Sequence, residues 1–78
     1  MHIYEVTDLV PASRPAGAAE DWWQMQTVLW TYEAADEDEM VANFDGEEAD
    51  LNVYGRAGYA LIATRKTDGG ALALWAIK

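Results

Sequence analysis

Carboxylates are the reactive side chains that this chain has in quantity. Nine of its fourteen Asp and Glu residues fall between Glu33 and Asp50, and no Lys or Arg occurs between Pro15 and Gly55. Paired carboxylates can act as general acid and base, or as the two arms of glycoside hydrolysis, and runs of them can hold calcium. The pattern here does not match those uses. An EF-hand loop needs alternating acids ahead of its central Gly. Counting back from Gly46 puts Val41 where the first acid belongs. Asp36, Glu37, Asp38, Glu39, Glu47, Glu48 and Asp50 read instead as a solvated anionic face. Weak divalent binding at Asp36, Asp38 and Asp45 is the one chemistry left open to it. His2 is the only histidine, and there is no Cys or second His to complete a metal site with it. Ser13 is the only serine and sits between Pro11 and Pro15 without a base. Gly69-Gly70 lacks the Gly-Lys-Ser/Thr ending of a phosphate loop. No catalytic residue, cofactor or metal ligand is therefore expected, and the reading is not an enzyme.

Charge narrows the partners. The formal net charge is −9, with an isoelectric point near 4.1. Nucleic-acid binding depends on Lys and Arg displacing counterions from phosphate, so direct DNA or RNA binding is disfavoured. Anionic membrane is disfavoured on the same ground. A basic protein surface would be attracted, and such attraction speeds encounter more than it tightens binding. Plain solubility is the competing explanation of the charge.

Length and composition set the size of the problem. Seventy-eight residues make one small domain. A chain this size buries about 60% of its unfolded surface, so its core is marginal. With no cysteine, no disulfide can staple it. Four Trp, four Tyr and one Phe must then carry much of the packing. The lack of Cys fits a reducing compartment. No run approaches the roughly 20 apolar residues of a membrane helix. Met1-His2-Ile3-Tyr4-Glu5 resembles neither region of a secretory leader. The expected location is the cytoplasm.

Four segments must position these residues. Residues 1–20 read as an N-terminal arm or edge strand: His2 to Val6 could extend, and Pro11, Pro15 and Ala16-Gly17-Ala18-Ala19 then form a loop. Residues 21–78 read as a single small α+β domain. Its first element is a strand over Trp22 to Glu33, because Thr27, Val28, Trp30, Thr31 and Tyr32 favour extension. Alternation puts Trp22, Gln24, Gln26, Val28, Trp30 and Tyr32 on one face. Both faces carry large apolar groups, so the strand is expected to be central or to have one face covered by a partner. Asp36 to Glu39 lead into one or two helical turns over Met40 to Phe44. Asp45 and Glu48 have the spacing of a capping box, which predicts a helix from about Gly46 to Tyr54 ending at Gly55. Tyr59 to Arg65 and Ala71 to Lys78 form a hairpin around Lys66-Thr67-Asp68-Gly69-Gly70, with glycines able to take positive φ. Trp30 and Trp75 are expected in the core. The fold expected is a small antiparallel sheet in β-α-β-β order, with a possible extra N-terminal strand and one short helix packed on one face.

Strand, acidic linker, short helix, Gly55-Arg56-Ala57-Gly58-Tyr59-Ala60-Leu61 and a terminal hairpin resemble a family of small bacterial and phage domains of unknown function. The similarity covers about residues 27–78, with Tyr-Ala where that family shows Trp-Glu. The resemblance implies a β-α-β-β fold and no known chemistry.

The aromatic surplus has two readings, a Trp-rich core or an interface where Trp and Tyr act as anchors. Trp22 and Trp23, beside the acids, are the candidate anchors. The function expected is a non-enzymatic acidic protein-binding module, a phage- or bacterium-encoded regulator or inhibitor that docks on a basic protein surface, that of a nucleic-acid-binding protein included. The alternative is a structural accessory or decoration subunit that associates through its aromatic strand and N-terminal arm. A small-ligand module with a cleft between helix and sheet is a third option. In the first reading the acids serve attraction more than folding.

Overall fold

The computed structural model describes residues 1–45 and 51–78. Among them the chain order is β1 (His2–Ala12), β2 (Trp22–Ala34), α1 (Glu37–Asn43), β3 (Asn52–Val53), β4 (Tyr59–Thr67) and β5 (Gly70–Ile77). The strands form one sheet in the order β3-β2-β1-β5-β4. This is α+β architecture, with one short helix on a five-stranded sheet. It departs from the expected β-α-β-β order: β1 stands where an extra N-terminal strand was allowed for, and β3 is additional. The sheet is also mixed rather than antiparallel, since β3 runs parallel to β2.

The largest correction concerns the N-terminus. β1 is neither an arm nor an edge: it lies between β2 and β5 and pairs with both. It runs through Pro11 to Ala12, well past Val6. Tyr4, Val6, Thr7 and Leu9 are all buried along it. Beyond β1, the chain turns at Pro15 to Ala18, where the Ala18 amide donates to the Pro15 carbonyl at 3.1 Å. Gly17 sits third in that turn at φ +84°, the value a type II turn demands there.

The core lies on both faces of the sheet. On one face Tyr4, Val6, Ala34, Ala63 and Leu74 meet Met40 and Phe44 of α1. On the other, Leu9, Ala71, Ala73 and Trp75 are covered by Leu51, Val53 and Tyr59, with Trp23 and Met25 at the side. Trp75 is 1% exposed, and its indole Nε1–H donates to Thr7 Oγ1 at 2.8 Å. The expected core role of Trp75 therefore holds. That of Trp30 does not: it is 52% exposed.

The hairpin follows the expected pattern. Thr67 faces Gly70 across a two-residue turn, Asp68-Gly69. Neither Gly69 nor Gly70 uses the positive φ that glycine allows there. Gly58 is the glycine that does, at φ +82°, in the turn closed by Tyr59 N–H to the Arg56 carbonyl at 3.0 Å. Gly55 ends no described helix; it follows Tyr54 beyond β3.

Helix α1 forms where the acids begin. Asp36 is its N-cap, and its Oδ1 accepts from the Glu39 amide at 2.7 Å. Glu39 Oε2 reaches back to the Ala35 amide at 3.1 Å. The chain holds two Asp-x-x-Glu spacings, and the described helix uses Asp36 and Glu39. A helix over Asn52 and Val53 is replaced by β3, and the rest of that expected helix from Gly46 to Asp50 lies outside the described residues. Asp36→Ala should cost about 1 kcal/mol of stability through the lost cap, while Asp36→Asn should cost little, because Asn caps as well. Chemical denaturation of both variants checks this.

Candidate functional site

Two bulges in β2 decide what the protein shows to its surroundings. Val6 pairs with Trp30 but Thr7 pairs with Val28, so Leu29 is one extra residue. A second extra residue falls between Val28 and Met25, which faces Leu9. The Thr27 amide in this second bulge donates to Asp8 Oδ1 at 2.7 Å, so a side chain replaces the lost ladder bond. Each bulge shifts the alternation by one. Trp30 and Tyr32 share the face of Val6 and Tyr4, beside α1, whereas Val28 shares the opposite face with Thr7. The expected single face of Val28, Trp30 and Tyr32 is thereby divided.

The consequence is a run of exposed apolar side chains. Val28, Leu29, Trp30 and Tyr32 are all exposed. β2 is second from the edge of the sheet rather than central, central being the first of the two settings expected of it. Its outer side pairs with β3 only at Trp22 and Trp23. Among the described residues no strand pairs with β2 on that side beyond Trp23, where the exposed apolar residues lie.

A groove runs from this stretch under α1. It has a volume of about 270 Å³ and is lined mainly by Trp30, Tyr32, Met40, Phe44, Leu72 and Arg65. Glu33 stands at its β2 end. Arg65 belongs to β4, three strands across the sheet from β2. At ~4.8 Å per strand that is roughly 14 Å away. The guanidinium lies 5.3 Å from the Phe44 ring centroid and 3.9 Å from Asp45 Oδ2, and its Nε is buried without a hydrogen-bond partner. The groove thus has a carboxylate on its β2 side and a guanidinium on its β4 side.

The acids expected to meet a partner divide in the same way. Asp36, Glu37, Asp38 and Glu39 are exposed at the start of α1, close to Glu33. Two of them also serve folding, since Asp36 and Glu39 cap the helix. Glu47, Glu48 and Asp50 lie outside the described residues. Trp22 and Trp23 are half-buried. Trp22 packs on Tyr54 with centroids 5.0 Å apart, and Trp23 joins the core against Leu51 and Val53. The Trp23 carbonyl also accepts the Tyr54 amide at 2.9 Å, and the Tyr54 hydroxyl donates to the Ser13 carbonyl. Their surface serves to hold β3. Trp30, expected in the core, and Tyr32 are instead the exposed aromatic rings of β2.

A second polar cluster lies on the opposite face. Arg56 Nη2 donates to Glu5 Oε1 at 2.6 Å, and the Arg56 guanidinium stacks 3.5 Å over the Tyr59 ring. Tyr59 Oη donates to Glu5 Oε2 at 3.3 Å. These contacts tie the 51–59 segment to β1 over Trp75, a structural role. Among the described residues, no group of three His, Asp or Glu side chains comes together as a metal site. His2 and Ser13 are both exposed. No described helix is long and apolar enough to cross a membrane.

One titration reports on the packing of α1. Tyr4 is buried, and burial, followed by the charges of Glu37, Asp36 and Glu39, raises its phenol pKa above the usual value. Above the ordinary phenol pKa the unfolded tyrosine ionises while the folded one stays protonated, so rising pH favours the unfolded state. The stabilisation from the protonated phenol is complete below about pH 10 and is lost as pH rises through the folded value. Tyr4→Phe should therefore flatten the alkaline limb of a stability–pH curve. An unchanged limb would place the Tyr4 hydroxyl in water.

No family model matches the chain, and neither a curated protein nor a solved structure matches it.

Proposed function

We propose that this protein is a non-enzymatic, acidic protein-binding module, a regulator or inhibitor that docks on a basic protein surface. One observation carries this reading: Trp30 and Tyr32 are exposed on the α1 face of β2, lining a groove with Met40 and Phe44 of the segment that the acids Asp36 to Glu39 lead into. Contiguous exposed apolar surface rimmed by charge is what a partner covers. Trp and Tyr are the residue types most enriched where binding energy concentrates. Acids at the rim add speed of encounter with a basic surface. If that partner binds nucleic acid, the acids would occupy its phosphate track. The alternative of a structural accessory subunit is weaker, because the N-terminal segment meant to knit into a neighbour is already a buried inner strand.

The test is capture from the native host cell with three baits: the wild type, Trp30→Ala with Tyr32→Ala, and Asp36 to Glu39 changed to their amides. The wild type should retain a basic protein that the double Ala variant loses. Identical captured sets would end this reading. The amide variant keeps both cap acceptors, so its melting temperature should change little. Its association with the captured partner should slow several-fold at low salt, with the difference vanishing near molar salt. An unchanged association rate would return these acids to solubility.

A further inference from the structure

The outer side of β2 is an open strand edge. β3 covers Trp22 and Trp23, and from Gln24 to Ala34 no described strand lies beyond it. Such an edge presents unpaired N–H and C=O groups to any chain that can extend alongside. Proteins usually blunt an edge with charge, proline or short length. β2 has thirteen residues, with no charge and no proline from Trp22 to Tyr32. The opposite edge, β4, is blunted by Arg65 and Lys66.

We propose that this edge of β2 receives an extended basic and apolar segment of a partner protein, added as a sixth strand. The proposal rests on the protein-binding reading above and specifies its geometry. A strand laid beside β2 would send alternate side chains to opposite faces. On one face they meet Trp30, Tyr32 and the groove under α1; on the other they meet Val28 and Thr31. Apolar residues at alternate positions therefore suit both faces. Main-chain bonds supply affinity in this mode, and the alternate side-chain sites supply selectivity.

Charge identifies the occupant. Glu20 and Asp21 precede the neutral stretch, and Glu33 with Asp36 to Glu39 follow it. The groove's cation, Arg65, is three strands away. A second copy of this chain would bring a net charge of −9 against the same acids. A segment with Lys or Arg neutralises them instead. The bulges sharpen the placement: pairing with β1 is regular from Trp30 to Ala34 and interrupted before it. The best ladder on β2 is thus the part nearest the acids, so the basic end of the segment lies there.

The experiment uses three synthetic peptides on the full chain, each about eleven residues long, enough to span the open edge at ~3.3 Å per residue. The first alternates apolar residues with Lys and Arg. The second has the same sequence with two adjacent central amides N-methylated, which removes one donor from each edge. The third carries Glu in place of Lys and Arg. Affinity is read by titration, and amide hydrogen exchange is read along β2. The first peptide should bind and slow exchange between Gln24 and Ala34, N-methylation should weaken it about tenfold or more, and the acidic peptide should not bind. Equal binding of the N-methylated peptide would overturn strand addition while leaving the protein-binding reading intact. Equal binding of the acidic peptide would overturn the charge assignment. No binding by the first peptide would overturn the proposal, with the host-cell capture still deciding the broader reading. Protection of β2 that rises with protein concentration alone would make a second copy the occupant and also overturn it.

Discussion

Trp75→Ala should lower the melting temperature by roughly 15 °C or more, while Trp30→Ala should leave it within a few degrees. The two tryptophans are alike in type and strand setting but opposite in surroundings. Trp75 is 1% exposed, packed among Leu9, Ala71 and Ala73, and bonded through its indole to the buried Thr7 hydroxyl. Removing a buried Trp costs about 3–5 kcal/mol. Thr7 would also lose its partner, an added penalty of about 1–3 kcal/mol for a buried hydroxyl left unsatisfied. A domain of this size has roughly 4–12 kcal/mol of stability in all. Trp30 at 52% exposure leaves no such cavity. Thermal melts of both variants decide the matter. Equal shifts would contradict the placement of one ring in the core and the other outside it.

The second large effect is expected at Glu5. Glu5→Ala should destabilise the protein by about 3 kcal/mol, because it strands the Arg56 guanidinium in a nearly closed site. The side chains of Arg56 and Glu5 are only 16% and 15% exposed, and Arg56 Nη1 is already buried without a hydrogen-bond partner. Tyr59 Oη would lose its acceptor as well. Changing Glu5 and Arg56 together to Leu should cost much less than the sum of the single changes, since no charge is then left unpaired. Urea denaturation of the singles and the double gives the coupling. A Glu5→Ala cost below about 0.5 kcal/mol would show the pair to be solvated.

What the sequence made legible depended on local signals. The β4–β5 hairpin could be read because strand-forming residues flank a Gly-rich turn, and α1 because acids lead into Met40 to Phe44. The extent of β1 could not, since Pro11 and a loop-like run after it argue against a long inner strand. What places β1 between β2 and β5 is long-range pairing, Tyr4 with Tyr32 on one side and Ala76 on the other. The two Asp-x-x-Glu spacings look alike in sequence; the first caps α1, whose Met40 and the following Phe44 pack into the core, and Glu48 of the second lies outside the described residues.

The candidate site was harder to read for the same reason. Trp22, Trp23 and Trp30 lie within nine residues of one strand, with nothing local to tell them apart. Trp22 and Trp23 are half-buried because β3 returns to pair beside them, some thirty residues later. Trp30 is exposed because nothing returns beside it among the described residues. The bulge at Leu29, which divides Val28 from Trp30, has no sequence mark at all; its counterpart near Thr27 is held by Asp8, nineteen residues away. Strand alternation was a sound rule applied across two insertions that only the pairing reveals.

The most direct test of the binding surface is amide hydrogen exchange on this protein with and without its captured partner. Binding should slow exchange at Val28 to Tyr32 and over α1, and leave the β4 edge around Arg65 and Lys66 unchanged. Protection confined to β4, with the β2 edge exchanging as in the free protein, would contradict the account.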